Sequence, residues 1–255
     1  MILTVDIGNS NIVLGGVRGH EILFQARMVT DSIKTSDQYC AELKTMLELF
    51  EVQPGDVEGS IVSSVVPPVL NSIRTALWKL TGKVCLVVGP GIRTGLNIQI
   101  DNPAQTGADL VVAAVAALRE YKPPMILVDM GTATTITVLN KDGALVGGCV
   151  CPGVKISLDA LTSKAALLPG ISLDQPKKVI GRNTIDCMRS GIMFGTASML
   201  DGLVARMEEE LGQSATVVMT GGIGRFILPL CRREMIFDED LIIKGLAALY
   251  RENKR

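Results

Sequence analysis

Three aspartates, Asp6, Asp109 and Asp129, have neighbours that could do chemistry. Asp6 lies in Val5-Asp6-Ile7-Gly8-Asn9-Ser10-Asn11-Ile12 and Asp129 in Val128-Asp129-Met130-Gly131-Thr132-Ala133-Thr134-Thr135. Both octads read Val-Asp-x-Gly followed by small polar residues. A carboxylate beside such a turn can hold a cation or orient a nucleophile. The backbone N–H groups and the hydroxyls of Ser10, Thr132 and Thr134 can hold phosphate oxygens. Gly221-Gly222-Ile223-Gly224 offers a third loop of the same kind. Asp109 opens an Ala- and Val-rich stretch, where a carboxylate also suits the dipole of a helix. The single histidine, His20, sits in a Gly-His-Glu turn. Carboxylates must therefore carry any proton transfer.

The elements that position these residues follow from the apolar pattern. Each octad is preceded by an apolar run and followed by an apolar-rich stretch, which predicts strand, tight turn, strand. Strands are expected at Ile2 to Asp6, Asn11 to Val17 and Glu21 to Met28, then a helix from Ser36 to Phe50 capped by Ser36 or Asp37. A strand at Ser60 to Ser63, a helix opened by Pro67-Pro68 and a strand at Lys83 to Val88 follow. Gly107 to Leu118 forms a small-residue helix carrying Asp109. The second half repeats the order with strands at Met125 to Asp129, Thr134 to Leu139 and Ala144 to Cys151. Helices come next at Val154 to Lys164 and Thr184 to about Leu211, a strand at Ala215 to Thr220, and a last helix, Leu241 to Tyr250, capped by Asp240. The chain thus reads as an α/β protein made of two duplicated βββαβα domains, residues 1–119 and 120–255. Their two hairpins are expected to face each other across a cleft, with Asp6 and Asp129 over one bound triphosphate.

Composition narrows the function. The 255 residues are 47% hydrophobic and 20% charged, as expected of a globular chain with a sizeable core. The net charge is −1 and no Lys/Arg block occurs, which argues against nucleic acid or an anionic membrane as the main partner. No apolar run reaches the roughly 18 residues that span a bilayer, and the first residues read as a strand instead of a signal peptide. The six cysteines are scattered; Cys149 and Cys151 form the one close pair, and strand alternation places both on one face. They read as reduced, mostly buried thiols of a cytoplasmic protein.

No Gly-x-x-x-x-Gly-Lys-Ser/Thr loop is present, nor a Gly-x-Gly-x-x-Gly opening a helix after the first strand, so neither a P-loop nor a dinucleotide fold is expected. The duplicated frame with three glycine loops at strand ends resembles the superfamily of acetate and sugar kinases, heat-shock chaperones and actin. Within it, the residues resemble the type III pantothenate kinases along the whole chain. The likeness runs through Asp6 to Asn11, Ser63-Ser64-Val65-Val66-Pro67, Asp101-Asn102-Pro103, Gly107-Ala108-Asp109 and Asp129 to Thr135. It continues through Gly147-Gly148, Pro152-Gly153, Asn183-Thr184, Ser190-Gly191, Thr220-Gly221-Gly222 and Lys244-Gly245-Leu246.

The resemblance implies ribonuclease H-like (actin-like) domains and transfer of the ATP γ-phosphoryl group to pantothenate, the first step of coenzyme A synthesis. It implies that Asp6, Ile7, Gly8, Asn9, Ser10, Asn11, Ile12 and Val13 wrap the ATP phosphates, with Asp6 near Mg2+, and that Thr132 touches the nucleotide. Asp129 is implied to hold a monovalent cation, K+ or NH4+, and Asp109 to accept the proton of the attacking hydroxyl. Gly107, Ala108 and Thr184 are implied to line the pantothenate pocket, and two copies of the chain to form a homodimer through the long helix. Two positions depart from the family pattern. Leu110 stands where an arginine follows Gly-Ala-Asp, and Ile100 where a tyrosine precedes Asp-Asn-Pro; both family residues face the acceptor. Leucine cannot imitate a bidentate guanidinium partner for the pantothenate carboxylate. Three readings stay open on this ground. One is a pantothenate kinase in which Arg93, Lys164 or Arg182 replaces the lost cation. The others are a non-catalytic nucleotide-binding paralogue with a regulatory role, and a kinase of a less acidic acceptor.

Overall fold

The apolar start of the chain forms β1 (Ile2–Ile7), which turns back into β2 (Asn11–Arg18) and then β3 (Glu21–Val29). In this computed structural model, which describes residues 1–254, α1 (Ser36–Leu49), β4 (Gly59–Ser64), α2 (Pro67–Thr81), β5 (Leu86–Val87) and α3 (Ala108–Glu120) follow. The first sheet has the order β3-β2-β1-β4-β5, with β2 antiparallel and β4 parallel to β1. Tyr39, Leu43 and Leu47 of α1 and Val69, Ile73 and Leu77 of α2 are buried with Leu3, Val5 and Ile7 in one core. The cap of α1 is Thr35, one residue before the expected Ser36 or Asp37. Its hydroxyl accepts from the Gln38 N–H at 3.3 Å while the Gln38 side chain accepts from the Thr35 N–H at 2.9 Å. This reciprocal pair, available only from Thr35 with Gln38 three residues on, outcompetes its polar neighbours. The strand expected over Lys83 to Val88 pairs only at Leu86–Val87.

The second half builds β6 (Met125–Met130), β7 (Ala133–Leu139), β8 (Leu145–Pro152), α4 (Val154–Lys164), α5 (Thr184–Leu211), β9 (Thr216–Thr220), a short α6 (Gly224–Ile227) and β10 (Ile236–Phe237). Its sheet has the order β10-β9-β6-β7-β8. Counted outward from β1 and from β6, the two sheets have the same neighbours in the same directions, which is the duplication the octads predict. Met193, Ala197, Leu200 and Val204 of α5 close the second core over Ile126, Val128 and Ile136. Asn183 caps α5 by accepting from the Asp186 N–H at 2.9 Å, and Gly212, at φ +67°, ends it. The thiols are less buried than expected: among the six, only Cys85 is buried and Cys187 is exposed.

The last helix, α7 (Leu241–Asn253), packs on β1, β2 and β4 of the first sheet. The first unit accordingly comprises Met1–Leu96, Asn102–Arg119 and the chain from Asp240 onward; the second comprises Asn97–Asp101 and Glu120–Glu239. This differs from a division at residue 120, and the reason is packing. Leu241, Ile243, Leu246 and Leu249 form an apolar face that the first sheet covers. Gly15 lets that face approach, since a Cβ there would lie 2.7 Å from the Ile243 side chain. Gly245 does the same for α3, where a Cβ would lie 2.3 Å from the Val112 carbonyl oxygen. The Asp240 side chain makes no capping bond at the start of α7, contrary to expectation.

Candidate active site

Asp6 lies next to last on β1, beside Ser63 in the parallel register of β4. The Ser63 hydroxyl donates to Asp6 Oδ1 at 2.6 Å. Burial pushes the Asp6 carboxyl up to about 6; the Ser63 bond opposes this and the Asp109 charge adds to it. The two carboxyls are therefore electrostatic neighbours within the first unit. Beyond Asp6 the chain turns through Gly8, Asn9 and Ser10, with the Gly8 N–H donating to the Asn11 carbonyl at 3.0 Å. Thr30, at the end of β3, pins this loop. Its hydroxyl donates to the Gly8 carbonyl at 2.7 Å and its N–H to the Ser10 carbonyl at 3.1 Å. With those carbonyls engaged, the loop presents the exposed Asn9, Ser10 and Asn11 outward. Ile7 and Ile12 are fully buried, so only their backbone groups can meet a ligand, and Val13 is half-buried.

Asp109 sits in the first turn of α3. Burial raises its pKa, against hydrogen bonds from the Leu110 N–H, 2.9 Å from Oδ1, and from its own backbone. Its carboxylate folds back over Gly107, where a Cβ would lie 2.3 Å from Oδ1. Glycine at 107 is thus what allows this orientation. Neither Asp6 nor Asp109 is ion-paired to a Lys or Arg among the described residues. Gly107, Ala108 and Leu110 are half-buried around Asp109. The preceding Thr106 hydroxyl is buried without a partner.

In the second unit, Asp129 is next to last on β6 and stands beside Thr220 of β9, as Asp6 stands beside Ser63. Its turn is shorter: Gly131 donates to the Ala133 carbonyl at 3.0 Å, and Gly131 and Thr132 are exposed. Two further glycines back this turn. A Cβ on Gly153 would lie 2.2 Å from the Thr132 carbonyl oxygen, and one on Gly221, at φ +94°, 2.6 Å from that of Met130. The second and third glycine loops are thereby brought together. Thr134 is not available as a phosphate donor: it is buried on the core side of β7, since alternation from the turn directs it inward. Thr184 is exposed at the start of α5. Ile100 is half-buried in the Asn97–Asp101 segment, which runs beside Leu145. Arg93, Lys164 and Arg182 are all exposed. Ser63, Thr30 and Thr106 carry the geometry without having been singled out by spacing. Ser63 falls in the family-like run Ser63 to Pro67, with no role attached to it there; the signal of Thr30 and Thr106 is only a hydroxyl at the end of an apolar strand or the start of a helix.

A family model described as type III pantothenate kinase matches residues 2–206. The chain belongs to the type III pantothenate kinase family. A relative of that name from Exiguobacterium sibiricum is 43% identical over the whole of both chains. Another from Listeria monocytogenes is 39% identical over 100% of this chain and 98% of its own. These matches favour neither the regulatory paralogue nor the less acidic acceptor. The fold is similar to that of an archaeal actin homologue, with a TM-score of 0.52 at 12% identity over 100% of this chain and 99% of that one. The two sheets of this type III pantothenate kinase family member are therefore actin-like. No helix among the described residues is long and apolar enough to cross a membrane.

Proposed function

We propose that this chain transfers the γ-phosphoryl group of ATP to the hydroxyl of pantothenate, giving 4'-phosphopantothenate. The observation that carries this reading, beyond family membership, is the Asp6–Asp109 pair. Two neighbouring carboxyls with raised pKa values and no counter-ion stand beside a loop of exposed polar residues. In phosphoryl transfer a protein mainly positions groups and balances charge. Asp109 takes the proton of the acceptor hydroxyl as its oxygen bonds to the γ-phosphorus. The bond from that phosphorus to the bridging oxygen breaks, and ADP leaves. A raised pKa suits a group that must accept a proton near neutrality.

Asp6 fits Mg2+, which binds through one or two carboxylates, keeps water and shares phosphate oxygens. The donor set agrees: the Asp6 carboxyl has the Asp109 carboxyl as an electrostatic neighbour and the exposed loop Asn9 to Asn11 follows it. When bound, the ion neutralises charge on the phosphates. The backbone from Asp6 to Val13 and the exposed side chains of Asn9, Ser10 and Asn11 hold those phosphates. Thr132 contacts the nucleotide, and Asp129 holds K+ or NH4+. Gly107, Ala108, Leu110, Ile100 and Thr184 line the acceptor pocket. The exposed Gly191 and Gly195 let α5 pack closely on a second copy, making a homodimer. The enzyme works in the cytoplasm.

A coupled assay of ADP release tests this reading, with ATP, Mg2+ and K+ or NH4+ present and pantothenate added or withheld. Release that requires pantothenate, with phosphopantothenate detected by mass, is the expected result. ADP release indifferent to pantothenate, or none under any of these conditions, would contradict it.

A further inference from the structure

Away from the aspartates, two thiols meet at the edge of the second sheet. Cys149 and Cys151 lie on β8, the last strand in its order, and their two-residue spacing directs both to one face. Their cross-strand partners are Ile136 and Thr134, both buried, so this is the core side of the sheet. The two thiols are neighbours on that face. Burial first, and then the Cys151 thiol, hold the Cys149 thiol above its ordinary range. Neither cysteine is fully buried and both are free thiols.

Thr134 supplies an independent observation. It is 1% exposed, its hydroxyl has no hydrogen-bond partner, and it stands directly opposite Cys151. An orphaned buried hydroxyl is costly, by about 1–3 kcal/mol. A thiolate or sulfenate at Cys151 would give this donor the acceptor it lacks. The flanks of the pair can also move. Gly147, at φ +150°, and Gly148 precede it, and beyond Leu145, which also bridges Ile98, β8 pairs along its length only with β7. In an extended strand, side chains two residues apart start roughly 6–7 Å apart, whereas the Cβ atoms of a disulfide lie about 3.5–4.5 Å apart. Bridging them therefore puckers the strand. Bonds strained in this way are readily reduced and belong to the labile, regulatory kind. Two residues beyond Cys151, Gly153 abuts the carbonyl oxygens of Gly131 and Thr132. A puckered β8 is felt at that turn.

We propose that Cys149 and Cys151 are a peroxide-oxidised dithiol whose reversible disulfide disturbs the Gly131–Thr132 turn. The Cys151 thiol gives up its proton and its sulfur attacks a peroxide oxygen; the O–O bond breaks, the leaving oxygen takes up that proton (as water, from hydrogen peroxide), and a sulfenic acid remains. The second thiol attacks the sulfenic sulfur, a second water leaves, and the S–S bond forms. The two thiols are oxidised and the peroxide is reduced. Only the effect on turnover rests on the kinase reading.

The test treats the whole protein with hydrogen peroxide, counts remaining thiols by alkylation and maps them by mass spectrometry. The expected result is the loss of two of the six thiols, linked within one peptide and restored by dithiothreitol. Cys149→Ser is expected to leave Cys151 as a sulfenic acid trapped by dimedone, with Cys149→Ala as a second variant. Cys149 and Cys151 that stay alkylatable, or that oxidise singly without linking, overturn the site. Pantothenate-dependent ADP release should fall about tenfold on oxidation and recover on reduction, but not fall in the Cys149→Ser/Cys151→Ser protein. A mapped disulfide with unchanged turnover overturns the link to the turn. A chain inactive before oxidation counts against the kinase reading, while the mapping still decides the disulfide.

Discussion

In the first sheet the aspartate near the end of the central strand stands beside Ser63 of its parallel neighbour; in the second, Asp129 stands beside Thr220 in the same register. The copy thus extends beyond the octads to a hydroxyl residue that sequence spacing does not connect with them. The tips then diverge. Gly8–Ser10 is longer and held by Thr30 from the third strand, while Gly131–Thr132 is shorter and backed by two glycines at which no side chain fits. A second carboxyl, Asp109, lies within electrostatic reach of the first aspartate. One frame therefore carries two kinds of site. Two neighbouring carboxyls occupy the first, and a short turn beside Asp129 the second; on the proposed reading the first handles the proton and the second the ion.

Substitutions can break or sharpen this contrast. Asp109→Asn removes the proposed proton acceptor, and turnover in the ADP-release assay should fall about 10³-fold, with ATP affinity by calorimetry unchanged. Asp6→Asn should lower turnover about 10²-fold yet stabilise the metal-free protein. The folded Asp6 has its pKa raised from 3.8 to about 6, so the protonated form is the one the fold favours. Stability from this source is complete below the unfolded value and is lost as pH rises through about 6, a difference of about 3 kcal/mol. The amide cannot ionise, so near neutral pH its thermal midpoint should rise by roughly 5–10 °C. A midpoint unchanged across the pH range would refute a strained Asp6. Gly107→Ala places a Cβ against the Asp109 carboxylate and should reduce kcat about tenfold with little change in ATP affinity. Leu110→Arg should act least, lowering the KM for pantothenate by roughly threefold through a charge-assisted pair; an unaltered KM would mean that the acceptor carboxylate lies elsewhere.

The tips were the legible part of the chain, because Asp and Gly between apolar runs leave few alternatives to a hairpin. Register was not legible. Ser63 and Thr220 acquire their places only when β4 and β9 pair with the central strands, and no local signal states that pairing. Thr30 is remote in sequence from the loop it pins. Thr134 looks equivalent to Thr132 on paper, yet Thr132 lies in the exposed turn and Thr134 on the core face of β7. The return of α7 to the first sheet was likewise hidden, since an apolar helix face does not say which sheet it will cover. Its glycine, Gly245, hinted only that something approaches closely.

The division of labour between the repeats is tested most directly by titrating K+ in the pantothenate-dependent ADP-release assay for wild type, Asp109→Asn and Asp129→Asn. Asp129→Asn is expected to lose stimulation by K+, while Asp109→Asn turns over slowly at every K+ level with the half-saturating concentration of the wild type. Full K+ response in Asp129→Asn together with a displaced midpoint in Asp109→Asn would contradict the assignment of ion and proton to separate repeats.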